Sequence, residues 1–504
     1  LAALAHSAGL EKSADLTTLS PAERRDELTN GWRRYLAALA RDRPVVMWVE
    51  DLHWAEAELV SLLDRLTLAA PIPLLVVATA RPELAERAGL RPGGDRFFIE
   101  VDGLGAGEAQ ALARHAGSRD DLDVERADGN PLFIIELARA RASDPAVAVP
   151  LTVQGLIGAR LDELPVRDRE LLQRVAVVGQ RIGVADAALL SGRGEADVAA
   201  TLERLSDRLF VHPVPGGYRF HHALVWDVAY GRLPAAERLR LHARYAQEGL
   251  GPADVEGRAH HLWLALGGAD AAWVWADSAD LSGLRTQAYE SHFAAGRRYA
   301  GRFAIQAALG VYDRALGFAQ GAAARAAVEQ AMGAAHAADG RADEAWQCYM
   351  RARQLYQEGN ESPPAELYAD LTELAVWTPG MFHHVPDDTD VGALLDEGER
   401  QARRSGPGPA LAHLLSIRAH FGTRSARTFD LAPLEEGLRL VESTTDLAPF
   451  GRFLVNAAAL QVRWGHFRAA NRTFERLAEL GAAGHRIDQV DEYRVAFALH
   501  TGDV

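Results

Sequence analysis

Val45-Val46-Met47-Trp48-Val49-Glu50-Asp51-Leu52-His53-Trp54 is the stretch on which the fold turns. An apolar run follows Pro44, is too short for a helix, and ends abruptly in two acids. Such a run suits a strand buried on both faces of a parallel sheet. A second run, Leu74-Leu75-Val76-Val77-Ala78, follows Pro71 and Pro73. Between them, Glu56 to Leu68 has helical periodicity, so the stretch reads as a β-α-β unit. Ligands of open α/β sheets bind outside the carboxyl ends of the strands, where Glu50 and Asp51 stand. One carboxylate there can hold a hydrated magnesium ion, and the other can polarise a water. A solvated acidic turn after an ordinary strand accounts for two acids as well. The attached His53-Trp54 makes the string specific.

Outward from this unit the pattern becomes helical. Upstream, Leu28, Trp32, Tyr35, Leu36 and Leu39 recur at helical spacing, with Ser20-Pro21 and Glu23 as a helix start. Downstream, Phe97-Phe98-Ile99 reads as a third, shorter strand. From about residue 105 the signal is almost wholly helical. One hairpin interrupts it: Leu209-Phe210-Val211, a Pro-Gly-Gly turn at 215–217, then Tyr218-Arg219-Phe220. Short helices followed by a small hairpin suggest a winged-helix module.

Residues 250–504 are alanine-rich, with internal similarity. Gly340 precedes Ala345, Tyr349 and Ala352 at the offsets by which Gly465 precedes Ala470, Phe474 and Leu477. Tyr312 and Ala315 form a looser copy. Small residues let paired helices approach, and the aromatic fills the gap they leave. This reads as tetratricopeptide-like helical hairpins stacked as an α-solenoid, with an irregular bundle as the alternative. Residues 378–390 read as a long loop. The fold class expected is α/β followed by all-α. Three parts are expected: an α/β domain over residues 1–145, a winged-helix module over 146–248 and the repeats over 249–504.

Composition limits the partners. The 504 residues are 48% hydrophobic, and 54 basic against 69 acidic side chains leave a net charge of -15. That balance argues against non-specific coating of nucleic acid. The single cysteine, Cys348, permits no disulfide framework and reads as buried filler. No apolar run is long enough to span a bilayer, and no secretory signal follows Leu1, so a cytoplasmic location and no membrane contact are expected. His260-His261 and His383-His384 are not at the spacing of a metal pair on one helix face.

The Glu50–Trp54 string resembles the "EDLHWAD" signature of STAND-class signalling ATPases, which are related to the AAA superfamily, and its strand and acids match their Walker B element. Three further segments carry the same resemblance over about residues 30–245. Ala78-Thr79-Ala80-Arg81-Pro82-Glu83 is similar to the family's sensor segment, which implies that Arg81 senses the γ-phosphate. Gly129-Asn130-Pro131-Leu132-Phe133-Ile134-Ile135-Glu136-Leu137 resembles the "GNPLFxxEL" segment, which implies that Gly129 and Pro131 lie near the adenine or ribose. Tyr218 to Tyr230 resembles the lid segment, in which His222 matches a histidine that reaches the ADP phosphates. Trp226 departs from the family's frequent arginine. Without a ligand, Arg81 reads as a surface arginine and His222 as a packed helix start. Arg238-Leu239-Arg240-Leu241-His242 fits a family helix and reads as packing.

The phosphate-gripping loop G-x-x-x-x-G-K-[ST] is not in the chain. The only lysine is Lys12, followed by Ser13, but Glu11 and His6 stand where the loop needs glycines. In the family this loop precedes the acidic strand by some tens of residues, so it is expected upstream of Leu1. The resemblance implies ATP or ADP and Mg2+ as cofactors, with Glu50 and Asp51 as both metal-holding and catalytic groups. It also implies an inducer, small molecule or protein, at the repeats, and self-association on activation. DNA would be reached only through a module outside this chain. Similar assemblies occur in large LuxR-type regulators and beside class III adenylate or guanylate cyclases. Leu233-Pro234-Ala235-Ala236-Glu237-Arg238 leans toward the first. A non-catalytic repeat scaffold is the reading from another class.

Overall fold

The computed structural model describes residues 21–55, 57–68, 72–81, 83–84, 96–118, 127, 129–143, 152–276, 278, 280–425, 430–444 and 446–482. Lys12, Ser13 and Pro82 lie outside these residues. The chain divides into two compact units: Leu1–Asp95 with His292–Val504, and Arg96–Ser291.

In the first unit, helix α1 (Pro21–Leu39) precedes strand β1 (Val45–Val49), helix α2 (Ala57–Leu68) and strand β2 (Leu74–Ala78). The strands pair in parallel, from Val45 opposite Leu74 to Val49 opposite Ala78. Parallel neighbours need a crossover, and α2 supplies it. Met47 and Val49 pack against Leu52, Val60, Leu63 and Leu84. The strands are not buried on both faces, as their apolar runs suggested. Side chains on the other face stay open: Val46 is 62%, Trp48 65% and Leu75 57% exposed. One helix can cover only one face of a two-stranded sheet. Phe97, Phe98 and Ile99 form no third strand and are exposed. Only Arg96 beside them makes a bridge.

The second unit begins with α3 (Ala106–His115), α4 (Pro131–Ser143) and α5 (Val153–Asp162). They share a core of Ala109, Ala113, Phe133, Ile134, Leu137 and Leu156. Next come α6 (Val166–Val175), β3 (Arg181–Ile182), α7 (Val184–Ser191), α8 (Glu195–Asp207), β4 (Val211–Val214) and β5 (Gly217–Phe220). The three strands form one antiparallel sheet in the order β3-β5-β4. The expected hairpin is present, and a third strand joins it. Gly217 makes room for that strand: a Cβ there would lie 2.2 Å from the Ile182 carbonyl oxygen. Leu171, Leu172, Val175, Leu202, Leu205, Phe210 and Phe220 close the core beneath. Helices α9 (Ala223–Gly231), α10 (Ala235–Arg244), α11 (Val255–Leu266) and the short α12 (Ala271–Val274) follow. The division between units falls within α13 (Leu281–Gly301).

The repeats are helical hairpins: α14 (Ile305–Phe318), α15 (Gly321–Ala338), α16 (Ala342–Glu358), α17 (Ala365–Trp377), α18 (Asp388–Ser405), α19 (Pro409–Ser425), α20 (Ala432–Glu442), α21 (Gly451–Arg463) and α22 (Phe467–Ala482). The expected loop is shorter than its composition suggested, because α18 already begins at Asp388. Its His383 is held by Asp343, whose Oδ2 lies 2.9 Å from both the backbone nitrogen and Nδ1. The turn glycines of the two matching copies, Gly340 and Gly465, each have φ of 76°. In the looser copy Phe303 takes the equivalent place, with φ of 65°. Tyr349, Phe474 and Tyr312 are buried, as are the alanines beside them. Two of these aromatics fill a space left by a glycine, Tyr349 against Gly333 and Tyr312 against Gly296, and Phe453 does the same against Gly437. Cys348 is buried, and burial pushes its thiol up to about 11, as suits filler.

A polar ladder ties alternate repeat helices. Gln330 of α15 donates to Asp370 of α17 at 3.0 Å, and Asn456 of α21 donates to Ser416 of α19 at 3.3 Å. His413 of α19 lies 2.9 Å from Glu373 of α17, and burial holds that imidazole down to about 4. Arg452 of α21 reaches past α19 to pair with both Asp370 and Glu373.

Candidate functional site

Glu50 and Asp51 follow directly on β1, at the carboxyl end of the parallel pair. Both are exposed. Asp51 has φ 53° and ψ 40°, in the left-handed region, and caps a turn of 3-10 helix at Leu52–Trp54. A non-glycine residue there carries local strain that its surroundings must hold. Thr79, just beyond β2, does the holding. Its Oγ1 accepts the Asp51 N–H at 3.0 Å, its carbonyl accepts the Leu52 N–H at 2.8 Å, and its own N–H reaches the Val49 carbonyl at 2.9 Å. Leu52 is buried beneath, which anchors the turn. His53 Nδ1 lies 4.0 Å from Asp51 Oδ1. Arg81 is exposed two residues beyond Thr79, at the same end of the sheet as the acids.

Thr79 has no periodic signature, and sequence reasoning passed over it. Thr79→Val keeps the shape of the side chain and removes the acceptor. The expected loss in chemical denaturation is about 1 kcal/mol, with Thr79→Ser close to wild type. Equal midpoints for valine and serine would show that this hydroxyl holds nothing.

The remaining candidate residues belong to the Arg96–Ser291 unit. Gly129 has φ of 67°, and a Cβ on it would lie 2.7 Å from the Leu104 nitrogen. Its carbonyl accepts the Leu104 N–H at 2.9 Å. Here glycine is required by backbone approach. Pro131 opens α4, while Asn130 Oδ1 accepts the Phe133 N–H at 3.2 Å. His222 is the exposed N-cap of α9, and its Nδ1 accepts the Leu224 N–H at 3.1 Å. Trp226 donates its indole N–H to the Ala176 carbonyl at 2.8 Å and stacks on Tyr230.

Glu136 was quoted only as part of a motif, yet it is a buried junction. It pairs with Arg139 at 3.0 Å and with Arg160 of α5. Arg160 also donates to the Arg208 carbonyl at 2.9 Å and lies over the Phe210 ring. His221 is held below the usual imidazole value by burial and by Arg139. Thus α4, α5 and the turn between α8 and β4 meet on one charged pair.

No family model matches the chain. An uncharacterised protein of Rhizobium meliloti (strain 1021) is 28% identical over 312 residues, covering 56% of this chain and 29% of that protein. The chain therefore spans less than a third of that relative's length. Among solved structures, a Signal Transduction ATPase with Numerous Domains (STAND) protein with a tetratricopeptide repeat sensor, from Pyrococcus horikoshii, aligns over 98% of this chain and 73% of that one. Its identity is 12% and its TM-score 0.38. A Rap protein complexed with competence and sporulation factor aligns over 77% of this chain and 94% of that one, at 15% identity and TM-score 0.32. Scores this low carry no argument about this chain.

Proposed function

We propose that this chain is the switch region of an ATP-binding signal-transduction regulator. The observation that carries this reading is the strained Asp51, held by Thr79 at the carboxyl end of a parallel strand and preceded by Glu50. Strain of this kind collects at functional sites. Asp51 and Glu50 would hold Mg2+ and polarise the attacking water, and Arg81 would sense the terminal phosphate. The bound metal supplies charge neutralisation there. Gly129, Pro131 and His222 would serve the nucleoside and the diphosphate in the ADP state.

The segment α6 to β5 is read as a winged helix acting as a lid. The charge of α8 supports an intramolecular role. It carries Glu195, Asp197, Glu203 and Asp207 against Arg204 alone, and Arg204 is bound to Asp168. Such a helix is repelled by a DNA backbone. An inducer at the repeats would bias the same two states that nucleotide biases, because each binds them with different affinity. The output is read as transcriptional, of the large LuxR type, with a linked cyclase as the alternative.

Binding of a fluorescent ATP analogue, with and without Mg2+, tests the reading. The chain from Leu1 to Val504 is expected to bind weakly, and the protein extended upstream to bind tightly and only with Mg2+. Tight binding by the shorter chain would place the phosphate site elsewhere. Absence of binding by both would leave the scaffold reading in its place.

A further inference from the structure

Three helices of the second unit meet on a polar thread inside an apolar core. Tyr230 Oη of α9 lies 2.8 Å from His242 Nε2 of α10, and His242 Nδ1 lies 2.8 Å from His261 Nδ1 of α11. His242 is 1% and His261 6% exposed. Val177, Leu190, Leu233, Leu241 and Tyr245 form the apolar cluster beside them.

Hydrogen-bond counting restricts the thread. Two facing Nδ1 atoms share one proton, so one ring donates and the other accepts. Both rings are then neutral, and Tyr230 completes the chain. One added proton makes one ring an imidazolium: His242 can then donate to both the Tyr230 oxygen and His261, but its charge lies in an apolar core. A second leaves two N–H groups facing each other with no acceptor between them.

The surroundings oppose charge. Burial first, then His261, His260 and Arg238, hold His242 down to about 3. Burial and His260 hold His261 down to about 4, against the pull of Asp254. Arg238 lies over the Tyr230 ring, and Tyr245 meets His261 edge-on. The Tyr245 phenol is itself pushed up to about 12 by burial and Asp186 of α7.

α10 runs into a turn of π-helix at Tyr245–Gly249. Such turns sit at functional joints more often than in plain helix. Arg258 of α11 donates to the carbonyls of Ala246, Leu250 and Gly251, so it bridges the turn to α11. Release of His261 leaves α11 held across this joint by Arg258.

We propose that the His242–His261 pair is a proton-operated latch, closed while both rings are neutral, which frees α11 from α9 and α10 in mildly acid solution. The direction follows from proton linkage. The unfolded imidazole value is 6.5 and the closed-state values lie below it, so the stabilisation is full above pH 6.5 and falls as pH drops toward about 4 and then about 3. At pH 5.0 the closed state is disfavoured about 30-fold per histidine, or about 1000-fold for the pair, relative to neutral pH.

Amide hydrogen exchange of the whole chain at pH 7.5 and 5.0, corrected for intrinsic rates, reads this directly. Peptides from α10 and α11 are expected to lose protection by about 1000-fold at pH 5.0 relative to those of α6 and α8. His261→Asn keeps an acceptor toward His242 and removes one titrating group, so its loss is expected to shrink to about 30-fold. The same pH dependence in both proteins, or no selective loss in the wild type, overturns the latch. Ring-labelled histidine NMR of the wild type needs no variant to fold. His242 and His261 are expected to stay neutral from pH 8 to 6, and ordinary titration near 6.5 in either would end the proposal.

Discussion

Tyr349→Ala is expected to lower the stability of the repeat region by about 3–5 kcal/mol, read as a shift in its denaturation midpoint. The ring is buried at the centre of a cluster with Ala345, Ala352, Leu367, Tyr368 and Leu371. Its removal leaves a cavity that rigid helix backbones cannot close. The partner of the ring gives a sharper test. A Cβ on Gly333 would lie 2.6 Å from Cδ1 and Cε1 of Tyr349, well inside contact distance. Gly333→Ala therefore sets two effects of opposite sign against each other. Helix propensity favours alanine by about 1 kcal/mol, while overpacking opposes it by about 1–3 kcal/mol. With Tyr349 in place the clash prevails and the variant is less stable. In the Tyr349→Ala background the clash is gone, and the same substitution is expected to stabilise. Additive effects in the double variant would mean that the two helices do not meet on this pair.

The second large effect concerns turnover. In the protein extended upstream of Leu1, Glu50→Gln with Asp51→Asn is expected to reduce ATP hydrolysis by at least about 100-fold. Both changes keep shape and remove the negative charge that the metal and the water require. Loss of fold will not imitate this result. Thr79 holds Asp51 through the backbone N–H, which the substitution leaves intact. Asparagine also tolerates the left-handed conformation of residue 51 as well as aspartate does. The melting temperature should stay at the wild-type value while turnover falls. Undiminished hydrolysis in the double variant would remove this strand end from the mechanism.

The strand pair, its crossover and the hairpin were legible because apolar runs, prolines and glycines mark them locally. So were the repeat turns, since Gly340 and Gly465 share one conformation. What escaped reading depends on distance in the chain. An apolar run tells what a strand can bury, not which face finds a cover, so the open side of Val46 and Trp48 was invisible. β3 has only two residues, Arg181 and Ile182, too few for any alternation to register. In the candidate site, Glu50, Asp51 and Arg81 stood out through their string. Thr79 did not, because its role exists only once the two strands lie side by side. Glu136 and Arg160 escaped because a buried ion pair between two helices has no spacing rule. His242 read as packing, which is true of its burial and silent about its partner.

Arg452 has a mechanical consequence. Its guanidinium spans from α21 to the carboxylates of α17, two steps along the row of alternate helices. A stack of hairpins joined only by neighbours flexes at each joint separately. A tie that skips one joint makes the two flex together, as a stiffened spring. Arg452 is largely exposed, so dissolved ions weaken the tie. Raising the ionic strength is expected to loosen this one tie, with the helices themselves unchanged.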